Sequence, residues 1–183
     1  MGQIPTIDCK KMVKRIVIDQ FKNSWTNKIK NVELQGTRLK QYSIIKTHFH
    51  TELYLDAVDN PKYRNAITRI RTNSHTLEIE RGRFTKPKTP LTERKCSVCN
   101  VVEDEVHFVC ACSIYENERK VLFSYIDKTY SNFHMLNNND KFIHLFAMEN
   151  RMCINLLGKY LYNAFRLRNE ADCLNDKNKE PSL

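Results

Sequence analysis

Residues 94–113 read RKCSVCNVVEDEVHFVCACS and hold four of the seven cysteines of the chain. Its spacing is Cys96-x2-Cys99-x7-His107-x4-Cys112. Two residues between paired cysteines allow both sulfurs to turn toward one ion, and a histidine with a third cysteine completes the tetrahedron that zinc prefers. Soft sulfur and nitrogen ligands favour zinc over magnesium or calcium. The sequence therefore predicts one structural Zn²⁺ ion on Cys96, Cys99, His107 and Cys112.

Two neighbouring residues refine this predicted site. Cys110 is a spare candidate ligand, ranked below Cys112 because His-x4-Cys leaves a proper chelate loop. Ser113-x-x-Glu116 is a capping box that would start a helix directly after Cys112, where the helix dipole would stabilise the thiolate. Glu105 is expected to orient His107 from behind. A full ligand shell leaves no open position for water, so the site is predicted to be structural, the alternative being ordinary buried cysteines and a chance histidine.

The remaining chain predicts helices. Only four glycines occur among 183 residues, and helical periodicity recurs over 9–30, about 37–52, 61–71 and several segments after 113. Asn60-Pro61 is a helix start, with Ala66, Ile67 and Ile70 facing inward and arginines outward. The predicted fold is mostly α, a helical domain with a small CCHC finger between helices. We expect basic helices over 1–58, a zinc-binding core over 59–130, a helical pair over 131–170 and a flexible tail over 171–183.

Charge is divided unevenly along the chain. Residues 1–95 hold 20 Lys and Arg against 9 Asp and Glu, a balance of +11, whereas residues 96–183 hold 10 against 12, a balance of −2. A basic half joined to a near-neutral half favours a polyanionic partner, RNA or DNA first. Phe84 or Tyr63 would add base stacking. The predicted phosphate-binding residues are Arg69, Arg71, Arg81, Arg83, Lys86, Lys88, Arg94 and Lys95, and the alternative is that these charges only solvate helix faces.

The residues around the predicted finger resemble a known family. Residues 94–99, 102–108, Cys112, Tyr115 and Arg119, with the upstream stretch 67–83, are similar to the zinc-binding segment that follows the reverse transcriptases of non-LTR retrotransposons. The resemblance implies a zinc-dependent module that helps a reverse transcriptase to hold nucleic acid. No Tyr-x-Asp-Asp polymerase motif is present, so we expect no enzymatic activity of this chain. A protein-interaction module and, more weakly, a metal-dependent nuclease using Glu78, Glu80 and Glu103–Glu105 are the alternatives.

Three further expectations concern location and other sites. Seven cysteines, no secretory signal and no long apolar stretch indicate an intracellular protein, nuclear or cytoplasmic, that is not secreted. His48, His50 and Glu52 are candidate ligands of a second metal site, and the alternative is that the two are ordinary surface or core histidines. Gly2, in MGQIPT, fits the N-myristoylation pattern, the alternative being that Met-Gly is only how this reading frame begins.

Overall fold

A computed structural model describes residues 8–30 and 40–177 of the chain, and the predicted lipidation site at Gly2 lies outside them. The described residues contain no strand, only an isolated antiparallel bridge between Lys95 and Val102. The mostly α fold is therefore confirmed. The described ranges form eight α-helices: α1 (Cys9–Lys30), α2 (Lys40–Ile45), α3 (Leu53–Ala57), α4 (Pro61–Arg71), α5 (Glu78–Arg81), α6 (Glu116–Thr129), α7 (Asn138–Ala147) and α8 (Arg151–Lys177).

The chain divides between His50 and Thr51 into two compact units. The first unit holds α1 and α2, and no residue of α1 is buried. Its ring contacts join Phe49 to Phe21 and to Trp25, each at 5.5 Å between centroids. The predicted helix over 37–52 is shorter than expected, because α2 ends at Ile45 and the Lys46 ammonium then donates to the backbone carbonyl of His50.

The second unit is built on α8, which packs against α4 and α6. Leu157, Leu161 and Ala164 on α8 are buried, as the periodicity predicts. The helix continues to Lys177, into the segment 171–183 that was expected to be frayed. Within the described ranges no helix is both long and apolar enough to cross a membrane.

The α4 helix begins where the sequence predicts. The Asn60 side chain accepts a hydrogen bond of 2.9 Å from the backbone N–H of Lys62, and Pro61 occupies the first turn. This cap satisfies one of the backbone donors that a helix start leaves open. Ala66, Ile67 and Ile70 are buried, so this helix presents the predicted face to the core.

Candidate metal centre and basic surface

The first two candidate ligands, Cys96 and Cys99, lie on a tight turn between α5 and α6. The Cys96 N–H donates to the carbonyl of Val101 at 2.8 Å, and the Asn100 N–H donates to the carbonyl of Cys96 at 3.0 Å. Asn100 has a φ of 55°, in the left-handed region that asparagine tolerates better than most residues. The turn therefore fixes the backbone around Cys96 and Cys99 with main-chain hydrogen bonds alone.

The other two candidate ligands flank a short π-helical turn, His107–Ala111. The Asp104 carboxylate accepts from the backbone N–H of His107 at 2.7 Å, which caps the start of this turn. The Cys112 N–H donates to the carbonyl of His107 at 2.8 Å and closes it. A wider π turn is often found at functional sites, and here it sets the spacing of the second pair.

These four residues come together in space, and we call them the Cys/His tetrad. Their ligand atoms all lie within 4.8 Å of one another. The sulfurs of Cys96 and Cys99 are each 3.8 Å from that of Cys112, far beyond the roughly 2.05 Å of a disulfide bond, and all three thiols are free. The tetrad could therefore hold a metal ion, and it includes Cys112 rather than Cys110.

Burial shapes the protonation of the tetrad. Burial lowers the pKa of His107, whose Nε2 atom is buried without a hydrogen-bond partner among the described residues. Burial also raises the pKa of Cys112 to about 12, whereas a hydrogen bond with the Ser113 hydroxyl lowers the pKa of Cys99. A neutral imidazole suits a metal ligand, and a buried thiolate needs a nearby positive charge to offset its desolvation.

The predicted capping box after Cys112 is wrong. Residues Ser113–Tyr115 form a 3₁₀ turn, and α6 begins at Glu116 without a side-chain cap. The Ser113 hydroxyl lies 3.4 Å from the Cys99 sulfur, so it contacts the tetrad rather than the backbone of α6.

Residues on α6 and α8 hold the π-helical turn through contacts that the sequence did not predict. The Tyr160 hydroxyl on α8 lies 3.1 Å from the carbonyl of Phe108 and 2.9 Å from that of Val109. Arg119 on α6 donates to the carbonyl of Cys112 at 3.0 Å. Tyr160 lies about 50 residues beyond the turn, so no local pattern marks it as a partner, whereas Arg119 lies seven residues after Cys112.

The acidic residues considered for a nuclease have other partners. Both carboxylate oxygens of Glu103 accept from Arg168 at 2.9 Å, and the second also accepts from the backbone N–H of Glu78 at 2.7 Å. Glu80 lies 3.3 Å from Arg83. Across the described residues, the Cys/His tetrad is the one group of three or more His, Cys, Asp or Glu residues arranged to hold a metal.

Glu105 does not orient His107, contrary to the prediction. It accepts from the Asn73 amide at 2.6 Å and lies 3.0 Å from the His75 ring nitrogen, with all three residues buried. Asn73 has a φ of 52°, which turns its side chain toward this carboxylate just after α4 ends. Glu105 therefore ties the finger to the segment after α4, and Asp104 is the acid that contacts the His107 backbone.

The eight predicted phosphate-binding residues separate into three groups by exposure. Arg81, Lys86, Lys88 and Lys95 are exposed. Arg71 is buried, and its expected outward orientation is wrong, because it donates to Glu52 at 2.7 Å and to the carbonyl of Phe146 at 3.0 Å.

The other three arginines are half-buried. Arg94 donates to the carbonyls of Thr89 and Ile79 at 2.9 and 2.8 Å, so it braces the loop before the finger. Arg69 stacks 4.2 Å over the ring of Phe165, and Arg83 pairs with Glu80.

The aromatic residues named for base stacking differ in exposure. Phe84 is 72% exposed, whereas Tyr63 is half-buried and lies 5.6 Å from the Tyr162 ring. Of these two rings, Phe84 is therefore the accessible one.

The residues considered for a second metal site have other partners. Glu52 accepts from Arg71, and the His48 ring lies 2.8 Å from the Thr47 hydroxyl.

Comparisons of the chain with protein-family models, curated proteins and solved structures found no match.

Proposed function

We propose that this chain is a non-catalytic nucleic-acid-binding module whose shape depends on a Zn²⁺ ion in the Cys/His tetrad. Zinc is proposed from the soft sulfur and nitrogen ligands, and the distances between sulfurs fit a tetrahedral ion of its size. An ion bonded to sulfur at about 2.3 Å with tetrahedral angles holds its sulfurs about 3.8 Å apart. The two short sulfur–sulfur distances of the tetrad are 3.8 Å.

The composition of the tetrad supports a structural role for the ion. Three thiols and one imidazole supply four protein ligands, and a tetrahedral ion that they all bind keeps no position for a substrate or an activated water. Such an ion would hold the turn at Cys96 and the turn at His107 together. The surface beside it then acts as a rigid platform.

The observation that carries the nucleic-acid proposal is the position of four exposed cations on the segment that leads into the tetrad: Lys86, Lys88, Lys95 and Arg81, which also pairs with Glu78 at 3.3 Å. Hydrogen bonds fix the loop between them, since the Thr89 N–H donates to the Thr85 hydroxyl at 2.8 Å and to the Gly82 carbonyl at 3.0 Å. Cations on a fixed backbone replace phosphate counterions with little loss of backbone entropy. Phe84, in the same loop, offers a ring for stacking on an unpaired base.

A second function, contact with another protein, is favoured by exposed apolar residues near the tetrad. Leu91, Val98 and Val101 are 57%, 63% and 48% exposed. Apolar side chains beside cations would suit a partner protein with an acidic, partly apolar surface. A reverse transcriptase domain as the partner is proposed from the sequence resemblance alone.

The nucleic-acid proposal is tested by gel shift of the zinc-loaded chain on single-stranded RNA and DNA across a salt series. Replacing the four exposed cations with alanine should weaken binding and lower the slope of log affinity against log salt by about 3, roughly 0.7 per cation. The matched control replaces four exposed cations on α6 and α8 with alanine: Lys120, Lys128, Lys159 and Arg166.

Equal losses in the two variants would mean that only net charge matters, and the proposed surface would be wrong. Absence of any shift with the wild-type chain would favour the protein-interaction module. Cleavage of the RNA that depends on added metal would contradict the non-catalytic role.

A further inference from the structure

The α1 helix exposes a group of large apolar side chains, which we call the apolar face of α1. Its members are Met12, Val13, Ile16 and Val17, between 46% and 58% exposed. At 100° per residue they cover roughly 140° of the helix circumference. No residue of this 22-residue helix is buried, so its apolar face is not part of a described core.

The other apolar residues of α1 behave differently. Phe21, four residues after Val17, lies beside the apolar face by the same periodicity, Trp25 lies one step further round the helix, and both contact Phe49 within their own unit. Ile18 lies on the cationic side. The apolar face therefore borders the ring cluster at Phe49, which does not cover it.

The charges of α1 indicate what could cover this face. The helix carries seven Lys and Arg residues against one acid, Asp19. Four of the cations are centred roughly opposite the apolar face, namely Lys11, Lys14, Arg15 and Lys22, whereas Lys10, Lys28 and Lys30 lie beside it or in line with it. A partner that satisfies both sides must be anionic and must also offer an apolar phase.

Three kinds of partner can be compared on that basis. A nucleic acid would neutralise the cations but leave the apolar face in water. A second copy would cover the apolar face but bring two helices of the same strong positive charge together. An anionic bilayer offers acyl chains to the apolar face and lipid phosphates to the cations. The cations would lie within a helix diameter, about 10 Å, of the phosphates. This distance is close to the Debye length, so salt would not screen the attraction fully.

We propose that α1 lies in the surface of an anionic membrane, with its apolar face among the acyl chains. This peripheral attachment does not depend on the function proposed for the tetrad and its loop. It uses residues of the first unit only.

Flotation of the full chain with lipid vesicles tests this attachment. The chain should float with vesicles of equimolar phosphatidylserine and phosphatidylcholine and should not float with phosphatidylcholine alone. Val13→Glu with Val17→Glu should weaken the binding roughly tenfold or more, since two apolar groups are lost from the buried face. The charge-matched control is Val121→Glu with Ser124→Glu on exposed positions of α6, which should bind as the wild type does.

Orientation is tested with the chain's single tryptophan, Trp25, replaced by phenylalanine. In that background, a Val17→Trp variant should be quenched by brominated acyl chains and an Arg15→Trp variant should not. Equal quenching would contradict the proposed orientation. Circular dichroism of each variant establishes that α1 and the rest of the fold are retained.

Three results would overturn the proposal. They are no flotation with anionic vesicles, unchanged binding by the Val13→Glu, Val17→Glu variant, and a dimer in sedimentation that this variant converts to a monomer without vesicle binding. The second result would mean that cations alone hold the lipid. The third would mean that a second copy covers the apolar face.

Discussion

Arg168, on α8, donates two hydrogen bonds of 2.9 Å to the two carboxylate oxygens of Glu103, which lies between the two ligand pairs of the tetrad. Both side chains are buried, with exposed fractions of 5% and 6%. The pair joins the finger to the central helix of the second unit. A fork-like arginine–carboxylate contact of this kind fixes orientation as well as distance.

Glu103→Gln should destabilise the chain by about 3 kcal/mol, because it leaves the Arg168 charge buried without its main partner. Urea denaturation of the metal-loaded chain measures the change. The control is Glu170→Gln, which breaks the exposed pair of Arg166 and Glu170 (3.7 Å) and should cost less than about 1 kcal/mol. Similar losses in the two variants would show that the Glu103–Arg168 pair does not hold the finger.

Metal binding should depend on Cys112 and not on Cys110. Cys112→Ser should prevent tight binding of one Zn²⁺ per chain and remove part of the thiolate-to-metal absorption of a Co²⁺-loaded sample, because it deletes one of three sulfur ligands. Chelation of the wild type should also lower its thermal stability, since Tyr160 and Arg119 then contact a turn that is no longer fixed.

The matched variant for this prediction is Cys110→Ala. Cys110 is a buried core residue, and its thiol is not part of the tetrad. The variant should lose stability through a small cavity but keep its metal stoichiometry and its Co²⁺ spectrum. Loss of the metal from Cys110→Ala, with retention by Cys112→Ser, would reverse the assignment.

Local signals in the sequence predicted the parts of the fold that neighbouring residues determine. Asn60-Pro61 started α4 as expected, because a cap needs only the next few residues. The tetrad residues also meet as their spacing indicated, since short loops join each pair. The parts that were predicted wrongly depend on residues far apart in the chain. Arg71 was predicted to be a surface cation, but it is buried and donates to Glu52 and to the carbonyl of Phe146.

Glu105 and Arg94 are two further residues whose partners the sequence did not predict. An acid beside a candidate ligand was expected to orient that ligand, yet Asn73 and His75 bind it from 30 or more residues away. Arg94 belongs to a run of cations, but the carbonyls of Thr89 and Ile79 fix its guanidinium. A charge pattern alone does not separate a cation that binds a partner from one that braces a loop.

Acid should destabilise the chain partly through His144 on α7. Burial lowers the pKa of His144, whose ring lies 4.7 Å from that of Tyr130. The unfolded histidine has a pKa of about 6.5, so above that pH both states are neutral. As the pH falls below it, the unfolded chain binds the proton first, and stability is lost until the pH passes the lower folded pKa.

His144→Phe removes this titration while keeping an aromatic ring in place. The free energy of unfolding, measured by urea at a series of pH values, should therefore fall less steeply below about pH 6.5 in the variant than in the wild type. Taking the difference between the two chains cancels the contribution of metal release, which both share. Parallel curves would show that His144 does not contribute to acid sensitivity.

Gly82 should tolerate no side chain, because Arg94 occupies the space beside it. An added Cβ would lie 2.6 Å from Nε and 2.7 Å from Cδ and Cγ of Arg94, whose guanidinium is held by two backbone carbonyls. Gly82→Ala should therefore cost about 1–3 kcal/mol of stability, as overpacking usually does. The conformation itself is ordinary, with a φ of −63°, so the cost comes from the contact and not from the backbone.

In an Arg94→Ala background the same substitution should cost little, and a double-mutant cycle measures the coupling. A cycle without coupling would show that Arg94 is free to move aside and does not brace the loop.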